Sequence, residues 1–442
     1  MAIVSRRLER IKQDLKPFIS NTDIEEACRQ AGHRWRSRLL DPIATIHLFI
    51  LQILHANTAI RHLRHLAKYP VKPAAFCKAR MRLPLAVLQS LLAKTAAAAG
   101  NQEPPADWKG LRAFLVDGSS SITPDTPELQ KAFGQPTGQK PGCGFPVPKL
   151  LGLFDAFTGM VQHMLVQPLY THDLTGAWRL HKYLRPGDLL IGDRGFSSFA
   201  HLALLAVQGM HGLFRLHQRV TVSFKRYRKH GGKGQPTSRY IKRLGKNDQL
   251  VEWQKPKVKA RWMTRQQHNE LPDTLLVREL RYYLPAKGQR TRIVTVVTTL
   301  LDAQQYPYEL IARLYGVRWT VETHFAELKT TLDMRQVKCK TAEGVRKELA
   351  VYCLVYNLVR AMMVEAASRQ DVEPGRISFV DTVRWVLSAD PGEALCDLIV
   401  NPQRADRHEP RVIKDLKDTY RKMTKPRAEL KKELHLWGGR PK

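Results

Sequence analysis

The sequence predicts an α/β protein with a mixed β-sheet at its centre. Two short apolar runs, FLV and LLIG, have the composition of buried strands, and they precede Asp117 and Asp193. Between them, PKLLGLFDAFTGMVQHMLVQP predicts a hairpin that turns at residues 157–159, and THDLTGAWRLHKYLRPG predicts a helix. A second helix, FSSFAHLALLAVQG, and a strand that begins at HGLFRLHQR complete the series. Such alternation is typical of a sheet with helices on both faces.

The order of these elements is three strands, a helix, a strand, a helix and a strand. This order is that of a ribonuclease-H-like core, which we expect to begin with residues 108–218. Residues 219–292 interrupt it with KRYRKHGGKGQPTSRYIKRLGKN and several strand-like runs, which predict a basic, β-rich insertion. The strand RIVTVVTTL and a helix that contains LYGVRWTVETHFAELK then complete the core within residues 293–369.

Two regions flank this core, and both are predicted to be helical. Residues 1–107 contain NTDIEEACRQAG, which has a candidate cap at Thr22, the apolar run PIATIHLFILQIL and the helix PLAVLQSLLAKTAAAAG. Residues 370–442 are expected to be a polar connection followed by the basic helix VIKDLKDTYRKMTKPRAELKKEL.

The chain is strongly basic. Its 442 residues include 72 Lys and Arg against 40 Asp and Glu, a formal charge of +32. This excess favours a polyanionic partner, because bound cations release the counterions condensed on nucleic acid. No apolar stretch is expected to reach the roughly 18 residues that span a membrane. The six cysteines contain no CxxC pair, so we expect reduced thiols, a cytoplasmic location and no membrane partner.

Three acids are candidates for a metal site: Asp117, Asp193 and Glu322. A carboxylate at the end of a buried strand is partly desolvated, which is costly unless the group is paired or binds a metal. Phosphodiester chemistry uses two divalent ions about 3.5–4 Å apart, and hard carboxylate oxygens suit magnesium. The two strand-end acids, followed by a helix that carries Glu322, therefore predict a Mg²⁺ site, with Mn²⁺ as a substitute ion.

Other acids fit this site less well. Asp155 ends a strand that should run antiparallel to the first, so it should lie at the opposite edge of the sheet. Asp188 begins its strand, and Asp173 is expected to cap a helix. Glu327 lies about 140° around the helix from Glu322, so it should face elsewhere.

The helix that carries Glu322 has an unusual face. On one continuous α-helix, Tyr315, Arg318, Glu322 and Lys329 fall within a stripe about 60° wide and about 21 Å long. An amphipathic helix with ordinary charge pairs would explain this face. A helix that lies along a phosphate backbone, with its acid directed at a metal, would explain it as well, and the two strand-end acids favour that interpretation.

The spacing Tyr-x2-Arg-x3-Glu-x6-Lys in residues 315–329, with FLVDGSS and IGDRGF before it, resembles the signature of a known family. That family is the DDE transposases of the bacterial insertion-sequence-four group, relatives of the transposon-five transposase. The resemblance covers residues from about 112 to 360. It implies a metal-dependent enzyme that binds the terminal inverted repeats of a mobile element, cleaves DNA at the element ends and joins the 3′ ends to target DNA.

The resemblance also implies roles for individual residues. Asp117, Asp193 and Glu322 would be the catalytic metal ligands. Backbone phosphates of double-stranded DNA would be contacted by Tyr315, Arg318, Lys329 and Arg194. Pairing of two element ends implies a homodimer when DNA is bound, and a bacterial transposase would be associated with the nucleoid.

Within the insertion, we expect phosphate contacts by charge, because basic residues cluster there among glycines. These residues are Arg226, Arg228, Lys229 and Lys233.

Two other functions would use the same residues. A structure-specific ribonuclease-H-like nuclease would need the three acids, but neither the long interval between Asp193 and Glu322 nor strand transfer. A catalytically inactive or domesticated DNA-binding protein would have no reason to keep all three acids.

Overall fold

The computed structural model describes residues 19–36, 38–67, 71–99, 105–217, 220–224, 238–283, 293–389, 393–402, 423 and 425–436. Within these residues the chain forms one nine-stranded mixed sheet with helices, so the α/β class is confirmed. The strands are β1 Ala113–Ser120, β2 Lys149–Asp155, β3 Val161–Gln167, β4 Leu189–Gly192, β5 His211–Arg215, β6 Arg239–Gly245, β7 Asp248–Gln254, β8 Thr274–Tyr283 and β9 Ile293–Thr298.

The described α-helices precede, interrupt and follow the strands in chain order. They are α1 Asn21–Gln30, α2 Pro42–Leu54, α3 Leu63–Leu66, α4 Pro73–Arg82, α5 Leu85–Ala99, α6 Pro127–Phe133, α7 Asp173–Leu180, α8 Phe199–Val207, α9 Arg265–Glu270, α10 Tyr308–Val317, α11 Thr320–Ala326, α12 Ala342–Arg369, α13 Phe379–Ser388 and α14 Arg427–Leu436.

The strand order in the sheet is β3-β2-β1-β4-β5-β9-β8-β7-β6. β1, β2 and β3 form an antiparallel hairpin series, whereas β4 and β5 run parallel to β1. The chain order of strands and helices from β1 to β5 is the order that the sequence predicts, except that the short helix α6 follows β1. The parallel strands bring their carboxyl ends to one edge of the sheet.

The strands of residues 219–292 do not form a separate layer. β9 pairs antiparallel with β5 on one side and with β8 on the other, so β8, β7 and β6 extend the central sheet. Val294, Val296 and Val297 of β9 are fully buried. A strand with buried side chains on both faces belongs inside a sheet, which explains why the insertion continues the core.

The hydrophobic core lies on both faces of the sheet. Along β1, Leu115 packs into one cluster, and Phe114 and Val116 pack into the other, as the two-residue period of a strand requires. The 28-residue helix α12 occupies the first cluster together with the apolar faces of α2 and α5. The N-terminal helices therefore share a core with the sheet domain, and residue 107 does not mark a break in packing.

Helix α12 is long and apolar enough, by length and composition alone, to cross a membrane, contrary to the expectation from sequence. However, 89% of its apolar 18-residue stretch is buried inside the protein. Its apolarity follows from its central position, since a helix that is covered on all sides is apolar all round. All six cysteines are free thiols, as expected.

Two local predictions were wrong. The cap of α1 is Ser20 rather than Thr22, because Ser20 and Asp23 form a reciprocal capping box. The expected polar connection after residue 370 contains α13, whose apolar face packs beside α12. Of the predicted basic C-terminal helix, α14 is described, and residues 403–422 lie outside the described part of the chain.

Candidate active site

Asp117 and Asp193 lie next to each other on the sheet. In the parallel pairing of β1 with β4, Val116 is opposite Gly192, and the two acids are the next residues on each chain. Asp117 does not end its strand, because β1 continues to Ser120 against β2. It lies instead where the neighbour β4 ends, at the carboxyl edge of the parallel strands.

Arg318 connects Asp117 with Glu322. Its Nη2 donates to Oε1 of Glu322 across 3.1 Å, and its Nη1 is 3.9 Å from Oδ2 of Asp117. The Arg318 side chain is 11% exposed, whereas that of Glu322 is 62% exposed. Its Nε is buried without a hydrogen-bond partner. The arginine is thus held beneath the surface, with its charged end towards two of the three predicted acids.

The electrostatics of Asp117 show that the three acids influence one another. Burial is the largest cause of its pKa shift, and the charges of Asp193 and Glu322 raise the pKa further. The Gly118 N–H and the Arg318 cation act in the opposite direction, and the resulting pKa is about 6. The backbone hydrogen bond from Gly118 N to Asp117 Oδ1 is short, at 2.7 Å. A partly desolvated cluster of like charges is the environment that a divalent cation would stabilise.

Residues 108–358, which include all three acids, match the family described as the transposase DDE domain. The chain belongs to this family. The match covers more than half of the 442 residues and confirms the resemblance deduced from the spaced motif.

Curated relatives of this DDE transposase domain protein agree with the assignment. The chain is 26% identical over 365 residues to the transposase InsG for insertion sequence element IS4 of Escherichia coli (strain K12), covering 78% of this chain and 77% of InsG. It is 27% identical over 138 residues to the putative transposase InsZ of the same strain, covering 31% of this chain and 46% of InsZ.

A cryo-EM structure of the piggyBac transposase synaptic complex with hairpin DNA aligns over 87% of this chain and 81% of that chain, with 10% identity and a TM-score of 0.43.

The donor chemistry of the three candidate acids suits a hard divalent cation, because all three groups supply carboxylate oxygens. Their arrangement is open: among the described residues, no three His, Cys, Asp or Glu side chains are gathered closely enough to hold an ion. Glu322 pairs with Arg318, and Asp193 Oδ1 accepts from the Gly195 N–H at 2.7 Å.

The segment that carries the spaced motif, residues 308–331 (the motif segment), is not one continuous α-helix. Across the junction of α10 with the first turn of α11, the N–H groups of residues 318, 319, 321 and 322 each donate to the carbonyl three residues earlier. A π turn, Glu327–Thr331, follows α11. These turns rotate the chain by different angles from an α-helix, so the straight 60° stripe is wrong as a geometric description. Arg318 and Glu322 still share one face, as their hydrogen bond shows.

Tyr315 lies beneath the acids rather than on the surface. It is 1% exposed, and its ring packs edge-on against Trp319 with 6.1 Å between centroids. Burial raises the pKa of its hydroxyl, and the charges of Asp193 and Asp117 also act on it. The apolar face of α10 carries Tyr315 into the core, which leaves it no exposed surface for a phosphate in this conformation.

The remaining predicted DNA contacts have different surroundings. Lys329 is half-buried in the π turn, and its pKa is lowered by burial and by the charge of Arg335. Arg194 is exposed beside Asp193. The four insertion residues lie outside the described part of the chain: Arg226, Arg228, Lys229 and Lys233.

The acids that sequence reasoning set aside have other partners. Asp155 pairs opposite Phe114, at the other edge of the sheet from Asp117, and its Oδ1 accepts from the Thr158 N–H at 2.7 Å. Asp188 accepts from the backbone of Arg185. Asp173 is in the first turn of α7 and is not its cap, which is His172.

Glu327 faces inward, away from Glu322. Its Oε2 accepts from the Tyr356 hydroxyl at 2.8 Å and lies 3.7 Å from Nδ1 of His324. Burial raises its pKa, but His324, Arg360 and Tyr356 more than offset this, so the pKa is lowered. This buried network attaches the start of the π turn to α12.

One basic residue at this edge was not identified from sequence. Gly192 is opposite Phe214 in the pairing of β4 with β5, so Arg215 continues the row that contains Asp117 and Asp193. Its charge lowers the pKa of Tyr315. The available signal was a charged residue at the end of a buried strand, which is the signal that identified the two acids.

Proposed function

We propose that this protein is the transposase of a bacterial insertion sequence. In this proposal it binds the terminal inverted repeats of the element, cleaves the DNA at the element ends and joins the 3′ ends to target DNA. The observation that carries the proposal is the register that places Asp117 beside Asp193, inside a segment that matches the transposase DDE domain. Glu322 completes the acidic set through its connection to Asp117 by way of Arg318.

The five strands β1 to β5 are proposed to be a ribonuclease-H-like catalytic core. Their order in the sheet is 3-2-1-4-5, with β4 and β5 parallel to β1. This topology brings carboxylates from two separate strands to one edge and leaves that edge open to a helix. The motif segment, residues 308–331, follows β9 in the chain. We propose that it supplies the helix at this edge.

Asp117, Asp193 and Glu322 are proposed to hold two Mg²⁺ ions, for which Mn²⁺ can substitute. When bound, such ions activate the attacking oxygen and stabilise the leaving oxygen of the phosphodiester. Arg318 then has a second partner available, because a phosphate oxygen can replace the exposed Glu322 carboxylate as the acceptor of its guanidinium. Tyr315 and Trp319 support Arg318 from below, and Lys329 and Arg194 are proposed to contact backbone phosphates further along the strand.

Double-stranded DNA is the proposed partner, with the ends paired by a homodimer. The formal charge of +32 supports this, since the DNA footprint of a protein must be basic. We propose that the helices within residues 1–107 read the terminal repeat, and that the basic insertion, with Arg226, Arg228, Lys229 and Lys233, contacts phosphates by charge. Its strands β6 to β8 extend the same sheet that carries the acids.

The test uses the full-length protein and the terminal repeats found by sequencing the DNA that flanks its gene. Matched and scrambled repeat duplexes are incubated with a target plasmid and Mg²⁺, or with EDTA. We expect cleavage and plasmid joining with the matched repeats and Mg²⁺ only. Equal cleavage of both duplexes without joining would indicate a structure-specific nuclease. Specific binding without cleavage would indicate an inactive or domesticated DNA-binding protein.

A further inference from the structure

A basic cleft lies between the loop that joins α1 to α2 and the end of α4. Its cavity measures about 460 Å³, and it is lined by residues 33–36, 38 and 40–42 of the loop and by Arg82 and Leu83. The loop sequence is HRWRSRLLD, in which basic residues alternate with other types. The cleft belongs to the N-terminal helical region and shares no lining residue with the acidic site.

The charges of this cleft are poorly balanced. Four arginines line it: Arg34, Arg36, Arg38 and Arg82. The acid among the lining residues is Asp41, and its carboxylate already caps α2 by accepting from the Ala44 N–H at 2.7 Å. Within the described residues, none of the four guanidinium groups has an ion-pair partner. An unpaired arginine cluster on a concave surface creates a positive potential that attracts anions.

The side chains of residues 33–36 alternate between two environments. His33 and Trp35 are half-buried and stack on each other, with 6.0 Å between ring centroids and 17° between planes. Arg34 and Arg36 are exposed. The stacked rings hold this part of the loop together, and the exposed arginines beside them line the same cleft. The pKa of His33 is lowered by burial and by the Arg82 charge, which agrees with an excess of positive charge here.

We propose that this cleft is a second DNA-binding site, which grips backbone phosphates of duplex DNA away from the acids. This inference rests on the proposed transposase function, because it assigns to the N-terminal region a particular surface for the bound end. Arg34 and Arg36 are both exposed beside the same stacked rings, and each carries a planar fork that fits two phosphate oxygens. Phosphate contacts of this kind fix the register of the DNA but do not read its bases.

The experiment measures the salt dependence of duplex binding. Arg34, Arg36 and Arg38 are replaced together by Gln, and the control replaces three exposed cations elsewhere, Arg179, Arg384 and Lys131, by Gln. Both variants lose the same charge. Each lost phosphate contact should lower the log–log salt slope by about 0.9, so the loop variant should lose up to about 2.7 and the control little. Equal slopes for the two variants would overturn the proposal, since only general charge would then matter.

A second measurement separates this proposal from the proposed function. Single-turnover cleavage is followed with matched terminal-repeat DNA at low salt and saturating protein. If the wild type cleaves, the control variant should cleave at the wild-type rate with unchanged affinity, whereas the affinity of the loop variant at 200 mM salt should fall. An affinity of the loop variant equal to that of the control at this salt concentration would overturn the proposal. If the wild type does not cleave, the transposase proposal fails, and the salt slopes still decide whether the cleft binds DNA.

Discussion

The guanidinium of Arg318 donates to the carboxylate of Glu322 across 3.1 Å while it faces Asp117 from 3.9 Å. An arginine between two acids of a proposed metal site partly neutralises their charge when no metal ion is bound. The Glu322 side chain is 62% exposed, so this ion pair is worth little free energy and can exchange for a phosphate. In the proposed function, exchange of this pair for a phosphate would connect the charge state of the acids to the binding of DNA.

Removal of the Arg318 cation should move the pH dependence of cleavage. Arg318 lowers the pKa of Asp117, which is about 6 with the arginine present. In Arg318→Gln the pKa of Asp117 should rise, because the cation that favours the ionised carboxylate is lost. In the proposed function Asp117 must be ionised to bind a metal, so the acidic limb of the single-turnover cleavage profile should shift to higher pH. An unshifted limb in a variant that still cleaves would show that Asp117 does not control it.

The ligand-free protein should lose stability as pH rises because of Asp117. The folded protein raises the pKa of Asp117 to about 6, so the folded state binds this proton more tightly than the unfolded state. The stabilisation is present at low pH and is lost as pH rises through about 6, by about 2–3 kcal/mol in total. Denaturant unfolding in EDTA at pH 4.5 and 7.5 should show Asp117→Asn gaining on the wild type at the higher pH. Parallel pH dependences for the two proteins would contradict the prediction.

Replacement of each proposed metal ligand should abolish cleavage and preserve DNA binding. The variants are Asp117→Asn, Asp193→Asn and Glu322→Gln, each of which removes one charge without changing the side-chain shape. The matched control is Glu309→Gln, an exposed acid in the first turn of α10. Cleavage and binding are measured on the same terminal-repeat duplex with Mg²⁺. A variant that retains cleavage would lose its place in the site.

Two glutamates of the motif segment should fail in opposite ways. Glu327→Gln breaks a buried network with Tyr356 and His324, so it should lower the free energy of unfolding by about 1–3 kcal/mol. The Glu322 side chain is largely exposed. Glu322→Gln should therefore change the free energy of unfolding by less than about 0.5 kcal/mol while it abolishes cleavage. Urea unfolding and cleavage assays of both variants check this pair. An equally stable Glu327→Gln protein would show that the network does not hold the π turn.

Lys329 should position the DNA without contacting the metal. Lys329→Ala should slow single-turnover cleavage of pre-bound DNA on the order of 100-fold, the effect of a displacement of about 1 Å. Lys329→Arg should rescue only part of the rate, because a planar fork does not replace a compact ammonium. Saturating Mg²⁺ removes effects on metal affinity from the measurement. A wild-type rate for Lys329→Ala would reduce this lysine to surface charge.

Acid should destabilise the protein through a buried histidine pair. The rings of His181 and His201 stack, with 3.0 Å between their Nε2 atoms, and burial lowers their pKa values to about 3 and about 4. Because the unfolded state protonates near pH 6.5, stability should fall as pH drops from about 6.5 towards 4. His181→Gln should flatten this fall relative to the wild type in thermal melts. An unchanged slope would exclude the pair as a cause.

Much of the architecture could be predicted from the sequence because its signals are local. The apolar runs before Asp117 and Asp193, the hairpin around residue 158 and the helices between the strands all follow from periodicities of two or 3.6 residues. Chain order then limited the topology, since the strands β1 to β5 appear in the predicted order. The rejection of Asp155 also followed from strand direction alone, and the register confirms its place opposite Phe114.

The tertiary structure alone decided which residues meet. The register that aligns Asp117, Asp193 and Arg215 depends on hydrogen bonds between strands far apart in the chain. The same long-range pairing joined the insertion strands to the sheet through β9. The motif segment departs from a regular α-helix in its backbone bonds, and packing buries Tyr315. Local sequence sets the periodicity of an element, but its neighbours determine its register, its burial and the turns where it departs from that period.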